Sequence, residues 1–126
     1  MDGLHLTGDL LGCDPARAEM TDPAALRTAC LAAVAAAGLV QVGELFHRFP
    51  APGGVTGVVL LAESHVAVHT WPEIGAVTLD VYVCNVGADN SARAETLFAA
   101  LADAFRPRDI ERHALARGAR LAEAAR

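Results

Sequence analysis

The sequence of 126 residues contains no lysine, because all ten of its basic residues are arginines. Enzymes that use pyridoxal phosphate hold this cofactor through a lysine Schiff base, so the absence of lysine excludes it as a covalent partner. Fifteen acidic residues give a net charge of −5, which argues against a nucleic-acid surface built from clustered basic side chains. A cationic small molecule stays open as the substrate.

The sequence also has few cysteines and no long apolar run. Its three cysteines form no Cys-x-x-Cys pair and leave an odd count, which favours a reducing compartment. The first nine residues lack the basic start and the apolar centre of a secretion signal. The longest apolar run, residues 29–40, is too short to cross a bilayer. We therefore expect a cytoplasmic protein with no membrane partner.

Hydrophobic periodicity predicts eight elements within a single domain, residues 1–126. Apolar residues make up 53% of the chain, which is enough for one core. Helical spacing follows an Asp22-Pro23 cap and resumes near Ser91, so that helices are predicted at 23–37 and 91–105. Strands are predicted at 4–10, 39–49, 55–62, 66–71, 76–83 and 110–116. The order β-α-β-β-β-β-α-β favours an α+β fold, with two helices on one face of an antiparallel sheet.

Two further predictions concern the less regular parts of this fold. In the second strand, Val40, Val42 and Phe46 should share one face of the sheet. The alanine- and arginine-rich end, residues 117–126, should be a loose tail or a short helix.

The segment between His65 and Cys84 predicts a hairpin with two chemically different faces. If residues 72–75 form its loop, Trp71 faces Ala76 and His65 faces Tyr82. Alternation then directs one set of side chains to the core: Val66, Val68, Val77, Leu79, Val81 and Val83. The other face carries groups suited to acid–base or nucleophilic chemistry: His65, His69, Thr78, Asp80, Tyr82 and Cys84.

His65 and His69, together with Cys84, also have the composition of a zinc site. On a strand, however, residues four apart are separated by about 13 Å, which one tetrahedral zinc ion cannot bridge. No metal is therefore predicted. Taken singly, His69 fits a structural histidine, Cys84 a small core residue and Ser64 the end of a strand, so residue types alone do not identify a reaction.

The centre of the chain carries a longer and more specific pattern. It consists of the run Ala62-Glu63-Ser64-His65, continued after three residues by His69-Thr70-Trp71-Pro72-Glu73. Three flanking segments belong to it: Phe46-His47-Arg48-Phe49, Gly54-Val55-Thr56-Gly57-Val58-Val59 and Asp80-Val81-Tyr82-Val83-Cys84. This pattern resembles the bacterial S-adenosylmethionine decarboxylase proenzyme family, and weaker similarity extends over the whole chain.

The resemblance implies a zymogen that cuts itself between Glu63 and Ser64. The Ser64 hydroxyl would attack the Glu63 carbonyl to form an ester, and elimination would then split the chain into residues 1–63 (β) and 64–126 (α). The dehydroalanine left at residue 64 would then be hydrolysed by water, with loss of ammonia, to a pyruvoyl group, the covalent cofactor. His69 matches the family's processing residue. Thr56 matches a position usually held by serine, so the assisting hydroxyl is kept on a stiffer side chain.

The same resemblance implies how the processed enzyme acts. The substrate amine would form a Schiff base with the pyruvoyl group, which takes up electrons as CO₂ leaves. Cys84 matches the acid that reprotonates the α-carbon. Phe49 matches an aromatic residue that stacks on adenine, Glu73 matches a carboxylate that binds the ribose hydroxyls, and Trp71 lies nearby without an assigned role. The product would supply spermidine synthesis, and the family assembles as a dimer of processed pairs with sites near the subunit interface.

The chain departs from the family pattern at several positions. Ile74 and Ala76 stand where the family commonly has tyrosine, Asn85 where it has glycine, and Asn90-Ser91 where it has Pro-Trp. The missing aromatic side chains leave open a pyruvoyl-dependent decarboxylase of ornithine or arginine from the same superfamily. A third interpretation is a binding module that never cleaves itself, which the presence of the processing and catalytic residues disfavours.

Overall fold

The computed structural model describes residues 2–124, which form one six-stranded sheet with two long helices packed on one face. The strands are β1 (Gly3–Leu11), β2 (Gln41–Arg48), β3 (Val55–Leu61), β4 (Ser64–Trp71), β5 (Ala76–Cys84) and β6 (Asp109–Arg117). The helices are α1 (Pro23–Ala36), α2 (Ser91–Phe105) and the short α3 (Ala119–Ala124). The sheet order is β2-β3-β4-β5-β1-β6, and every neighbouring pair is antiparallel. The predicted α+β fold and its order of strands and long helices are confirmed.

Local sequence accounts for the ends of the two long helices. The Asp22 carboxylate accepts a hydrogen bond from the Ala24 N–H at 3.0 Å, and Pro23 occupies the first turn, so α1 begins as predicted. After α2, Arg106 adopts a left-handed conformation and Pro107 follows it. The apolar residues predicted for these helices are all buried: Leu26, Cys30, Ala33, Val34 and Ala37, then Leu97, Phe98, Leu101 and Phe105.

The β4–β5 hairpin has the predicted register. Trp71 pairs with Ala76, and His65 pairs with Tyr82. The side chains predicted to face the core are at most 1% exposed: Val66, Val68, Val77, Leu79, Val81 and Val83. The opposite sheet face, which neither α1 nor α2 covers, is called the open face here. It carries the half-buried side chains of His65, His69, Thr78, Asp80 and Tyr82.

The edge strand β2 differs from its predicted pattern. Val40 precedes the strand and is 74% exposed, Val42 is 65% exposed, and only Phe46 packs against the core. A register shift between Gln41 and Gly43 interrupts the alternation, because a bulged residue is left out of the regular pairing. The three side chains therefore do not lie on one face of the sheet, and that prediction was wrong.

The C-terminal part forms the other edge of the sheet. All nine residues of β6 are exposed. The predicted short helix is present as α3, while residues 125 and 126 of the predicted tail lie outside the described residues. Within residues 2–124, no helix is long and apolar enough to span a bilayer.

Gly8 marks a close approach between β1 and α2. A Cβ atom at this position would lie 2.5 Å from Cζ of Phe98, whose ring is packed in the core. We expect Gly8→Ala to lower the free energy of unfolding by about 1–3 kcal/mol, because the ring must shift within a dense core. Gly43→Ala is the matched control, with its nearest neighbouring atom 3.5 Å from the new Cβ. Urea unfolding gives the comparison, and equal midpoints for the two variants would contradict this packing.

Candidate active site

Ser64 begins β4 directly after a tight turn from β3. Leu61 pairs with Ser64, which leaves only Ala62 and Glu63 in the turn. Glu63 has a φ of 55°, in the left-handed region that residues other than glycine rarely adopt. Holding a residue in such a conformation costs about 1–3 kcal/mol. The bond between Glu63 and Ser64 therefore follows a strained residue.

The Ser64 side chain is in direct contact with the end of β5. Its Oγ accepts a hydrogen bond from the backbone N–H of Cys84 at 3.1 Å, and both residues are buried. The contact arises because β4 starts where β5 ends, as the pairing of His65 with Tyr82 requires. The fold thus brings the serine and the cysteine singled out in the sequence together on adjacent strands.

Three polar residues hold the backbone that follows β5. Asn90 donates a hydrogen bond from Nδ2 to the Cys84 carbonyl at 2.8 Å, and its N–H donates to Asn85 Oδ1 at 2.7 Å. The Asn85 amide in turn donates to Ser91 Oγ at 3.1 Å. Asn85, Asn90 and Ser91 are positions at which the chain departs from the family it resembles, and here they bond to one another. Sequence reasoning missed this role, because no spacing rule indicates that the three side chains meet.

The other predicted site residues gather at the far end of β4. Thr56 Oγ1 and His69 Nδ1 are 2.9 Å apart, because the two residues face each other across β3 and β4. Both line a cavity of about 110 Å³. Phe49, Trp71 and Glu73 line the same cavity, together with parts of the proline- and glycine-rich loop before β3. The residues predicted for processing and for nucleoside binding therefore share this end of the hairpin.

The predicted site residues form two separate groups within one chain. His69 follows Ser64 by five residues on an extended strand, which separates their Cα atoms by about 16 Å. The first group, the serine end, comprises Glu63, Ser64 and Cys84. The second group, the histidine end, comprises Phe49, Thr56, His69, Trp71 and Glu73. The sequence analysis assigned all of them to one site without recognising this distance.

Aromatic and charged side chains lie on the open face beside the serine end. His65 stacks on Tyr82, with ring centroids 5.5 Å apart and an interplanar angle of 26°. Burial lowers the pKa of His65, because an imidazolium ion loses hydration there. Among residues 2–121, whose side chains are described, no three His, Cys, Asp or Glu side chains form a group that could hold a metal ion.

Comparison with known proteins finds relatives along most of the chain. A family model described as S-adenosylmethionine decarboxylase matches residues 4–118. The S-adenosylmethionine decarboxylase proenzyme of Parasynechococcus marenigrum is 42% identical over 115 residues, which cover 91% of this chain and 82% of that protein. The proenzyme of Thermoplasma acidophilum is 36% identical over 122 residues, which cover 97% of this chain and 88% of that protein.

A solved structure supports the same relationship at the level of the fold. The crystal structure of the adenosylmethionine decarboxylase from Aquifex aeolicus superposes on this chain with a TM-score of 0.80. The two sequences are 34% identical, and the match covers 90% of this chain and 88% of the other.

Removal of the Asn90 side chain should make Cys84 more accessible. In Asn90→Ala the Cys84 carbonyl loses its partner, so the end of β5 should loosen and stability should fall by about 1 kcal/mol. We expect a thiol reagent to modify Cys84 faster, while Cys13 and Cys30 stay protected in the core. Asp89→Ala is the control, because the Asp89 carboxylate accepts a hydrogen bond from the Ser91 N–H at the start of α2 rather than from Cys84. Peptide mass spectrometry gives the rates, and unchanged labelling of Cys84 in Asn90→Ala would refute the role assigned to Asn90.

Proposed function

The chain belongs to the S-adenosylmethionine decarboxylase family, and from this premise we propose that it decarboxylates S-adenosylmethionine with a pyruvoyl group made from its own Ser64. The observation that carries the proposal is the buried Ser64 hydroxyl, which lies against Cys84 directly after the strained Glu63. The product would be the aminopropyl donor for spermidine synthesis. A reducing cytoplasm fits the three cysteines of the chain, all of which are free thiols.

Self-cleavage needs a hydroxyl that is held beside a carbonyl carbon. The Cys84 N–H fixes the Ser64 hydroxyl in one orientation, next to the carbonyl of Glu63 in the chain. Attack on that carbonyl forms an ester and breaks the amide, and release of the left-handed Glu63 conformation would favour the step. The ester oxygen leaves when a base removes the Ser64 α-proton. His69 suits this role, because Nε2 has a free lone pair when Nδ1–H donates to Thr56.

The residues around Ser64 fit the group that cleavage would create. Once formed, the pyruvoyl group supplies a carbonyl that binds the substrate amine and takes up the electrons released with CO₂. Cys84 would donate the proton that the α-carbon requires, since it carries a thiol and its backbone N–H is bonded to Ser64 Oγ. Phe49 and Trp71 offer aromatic surfaces for adenine, and Glu73 offers a carboxylate that accepts hydrogen bonds from ribose hydroxyls.

We propose further that two chains form the active unit, because one chain keeps its serine end and its histidine end apart. His69 lies about 16 Å from Ser64 along β4, whereas proton transfer requires contact at about 3 Å. The cavity of about 110 Å³ at the histidine end is too small for a nucleoside, which supports its completion by a second copy. A two-fold axis through the open face would bring the histidine end of one copy to the serine end of the other.

Exposed apolar side chains on the open face support the same pairing. Leu45 is 70% exposed, Leu60 is 49% exposed and Leu115 is 47% exposed, although all three lie within paired strands. A monomer would leave this apolar surface in water, and a second copy would cover it. The open face is therefore the surface through which two chains would pair.

Ornithine and arginine are the second candidate substrates. Trp71 also borders a shallow apolar groove formed in part by Ile74 and Ala76, where two side chains smaller than tyrosine leave space. Fewer aromatic surfaces mean less stacking area for an adenine ring. CO₂ release from S-adenosylmethionine, ornithine and arginine therefore has to be compared with the same protein.

Ser64→Ala should remain one uncut chain and should release no CO₂, because the precursor of the pyruvoyl group is gone. Denaturing mass spectrometry of the parent protein should give residues 1–63 and 64–126 as two chains, with CO₂ released from S-adenosylmethionine and not from ornithine or arginine. Ser91→Ala, which changes the only other serine, should still be cut. A parent protein that is active as one intact chain, or a Ser64→Ala protein that is cut, would overturn the proposal.

Co-expression of Ser64→Ala with His69→Ala tests the pairing of the two ends. Each variant alone lacks one end, but a mixed pair contains one complete site. We expect His69→Ala to stay uncut alone and about half of it to be cut after co-expression at equal levels, as random pairing requires. The double variant Ser64→Ala/His69→Ala is the control and should not rescue cleavage. The shared site would be excluded if His69→Ala were also cut when co-expressed with the double variant, or if it stayed uncut when co-expressed with Ser64→Ala.

A further inference from the structure

Five side chains form a connected cluster on the open face beside the serine end. His5 comes from β1, His65 from β4, Asp80 and Tyr82 from β5, and Arg117 from β6. We call this cluster the His5 network. It includes two residues, His5 and Arg117, that are 112 positions apart in the sequence. None of its members lies at the histidine end or has a role in the steps described above.

Hydrogen bonds fix the His5 ring in one orientation and one tautomer. Its Nε2 lies 3.0 Å from Asp80 Oδ1, and its Nδ1 lies 3.2 Å from Nη1 of Arg117. A guanidinium group only donates hydrogen bonds, so Nδ1 must accept and Nε2 must carry the proton that Asp80 accepts. Both ring nitrogens of His5 are therefore engaged, and only 17% of its side chain is exposed.

His5 and Arg117 together confine the ring of Tyr82. The His5 ring meets it edge-on at 6.0 Å and 90°, and the Arg117 guanidinium carbon lies 5.8 Å from its centroid. Gly3 provides the space beneath the phenol, because a Cβ atom there would lie 2.8 Å from Tyr82 Oη. The Tyr82 ring thus has neighbours on several sides.

Tyr82 connects the network to Ser64 and Cys84 of the serine end. It stacks on His65, the residue directly after Ser64, and it precedes Cys84 by two positions on β5. A rotation of the Tyr82 ring would therefore release the His65 ring and loosen the two strands at the Ser64–Cys84 hydrogen bond. The network therefore acts on the Ser64–Cys84 hydrogen bond only through His65 and Tyr82, which lie close to these two residues on β4 and β5.

We infer that His5 is a positioning residue for the reaction at Ser64: its bonds to Asp80 and Arg117 hold Tyr82 and His65, and so hold the serine end in its reactive orientation. This inference rests on the proposed function. Misorientation at Ser64 slows the chemical step, whereas the substrate contacts at the histidine end stay intact. The expected signature is therefore a loss in kcat with little change in KM.

Two substitutions of His5 separate its hydrogen bonds from its shape. His5→Phe keeps a flat ring beside Tyr82 and removes both bonds, so kcat per cleaved chain should fall about tenfold while KM changes less than about twofold. His5→Gln keeps one donor for Asp80 and one acceptor for Arg117, so kcat should recover to within about threefold of the parent value. Mass spectrometry gives the cleaved fraction used to normalise each rate.

Tyr82 is the only tyrosine of the chain, so its ring gives a readout that needs no activity. In the uncut Ser64→Ala chain carrying isotope-labelled tyrosine, His5→Phe should shift or broaden the Tyr82 ring signals. His113→Phe is the matched control. Like His5, His113 lies on the open face, but it belongs to β6 and pairs with Thr7. Its side chain is 65% exposed and lies away from Tyr82. Arg117→Met should reproduce the effects of His5→Phe, and it carries the test if His5→Phe does not fold.

The outcomes separate this inference from the proposed function. A parent protein that releases no CO₂ from S-adenosylmethionine contradicts the proposed function, whatever the variants do. An active parent with parental kcat in both His5→Phe and Arg117→Met contradicts only the positioning role. A loss of kcat without any change in the Tyr82 signals also contradicts it, because the effect would then bypass the network.

Discussion

The pairing of β4 with β5 is the constraint on which the core and both ends of the site depend. The loop at residues 72–75 fixes it: the Ile74 N–H donates to the Trp71 carbonyl at 3.1 Å, and the Gly75 carbonyl accepts from the Cys13 N–H at 2.8 Å. A slip of one residue would turn every side chain of the hairpin to the other face. Valines would then meet water, and Asp80 would enter the core without a partner, which is costly enough to specify the register.

Much of this hairpin could be predicted because its determinants are local. The loop has turn-forming residues, the arms have β-branched residues with a period of two, and counting outward from the loop gives the pairing of His65 with Tyr82. The first helix could be predicted for a similar reason, since Asp22 and Pro23 mark its start. The bulge near Val42 could not be predicted from the sequence, because it depends on how the edge strand β2 pairs with β3.

The candidate site was harder to predict because its contacts join distant parts of the chain. His5 meets Arg117 only because β1 lies between β5 and β6, and no local pattern indicates that order. The separation of Ser64 from His69, by contrast, was within reach of sequence reasoning. The length of an extended strand already excluded a metal ion shared by His65 and His69, and the same length divides the site into two ends.

The order of strands has a consequence for a protein that cuts itself after Glu63. Strands β1, β2 and β3 precede the cut and β4, β5 and β6 follow it, yet β1 is inserted between β5 and β6. The two fragments would therefore be interleaved along three seams, and α1 of one fragment would still pack on α2 of the other. Separation would require all three ladders to open at once, so dilution alone should leave the nicked molecule whole. Backbone scission at this turn would alter the number of polypeptides without altering the cooperative unit that unfolds.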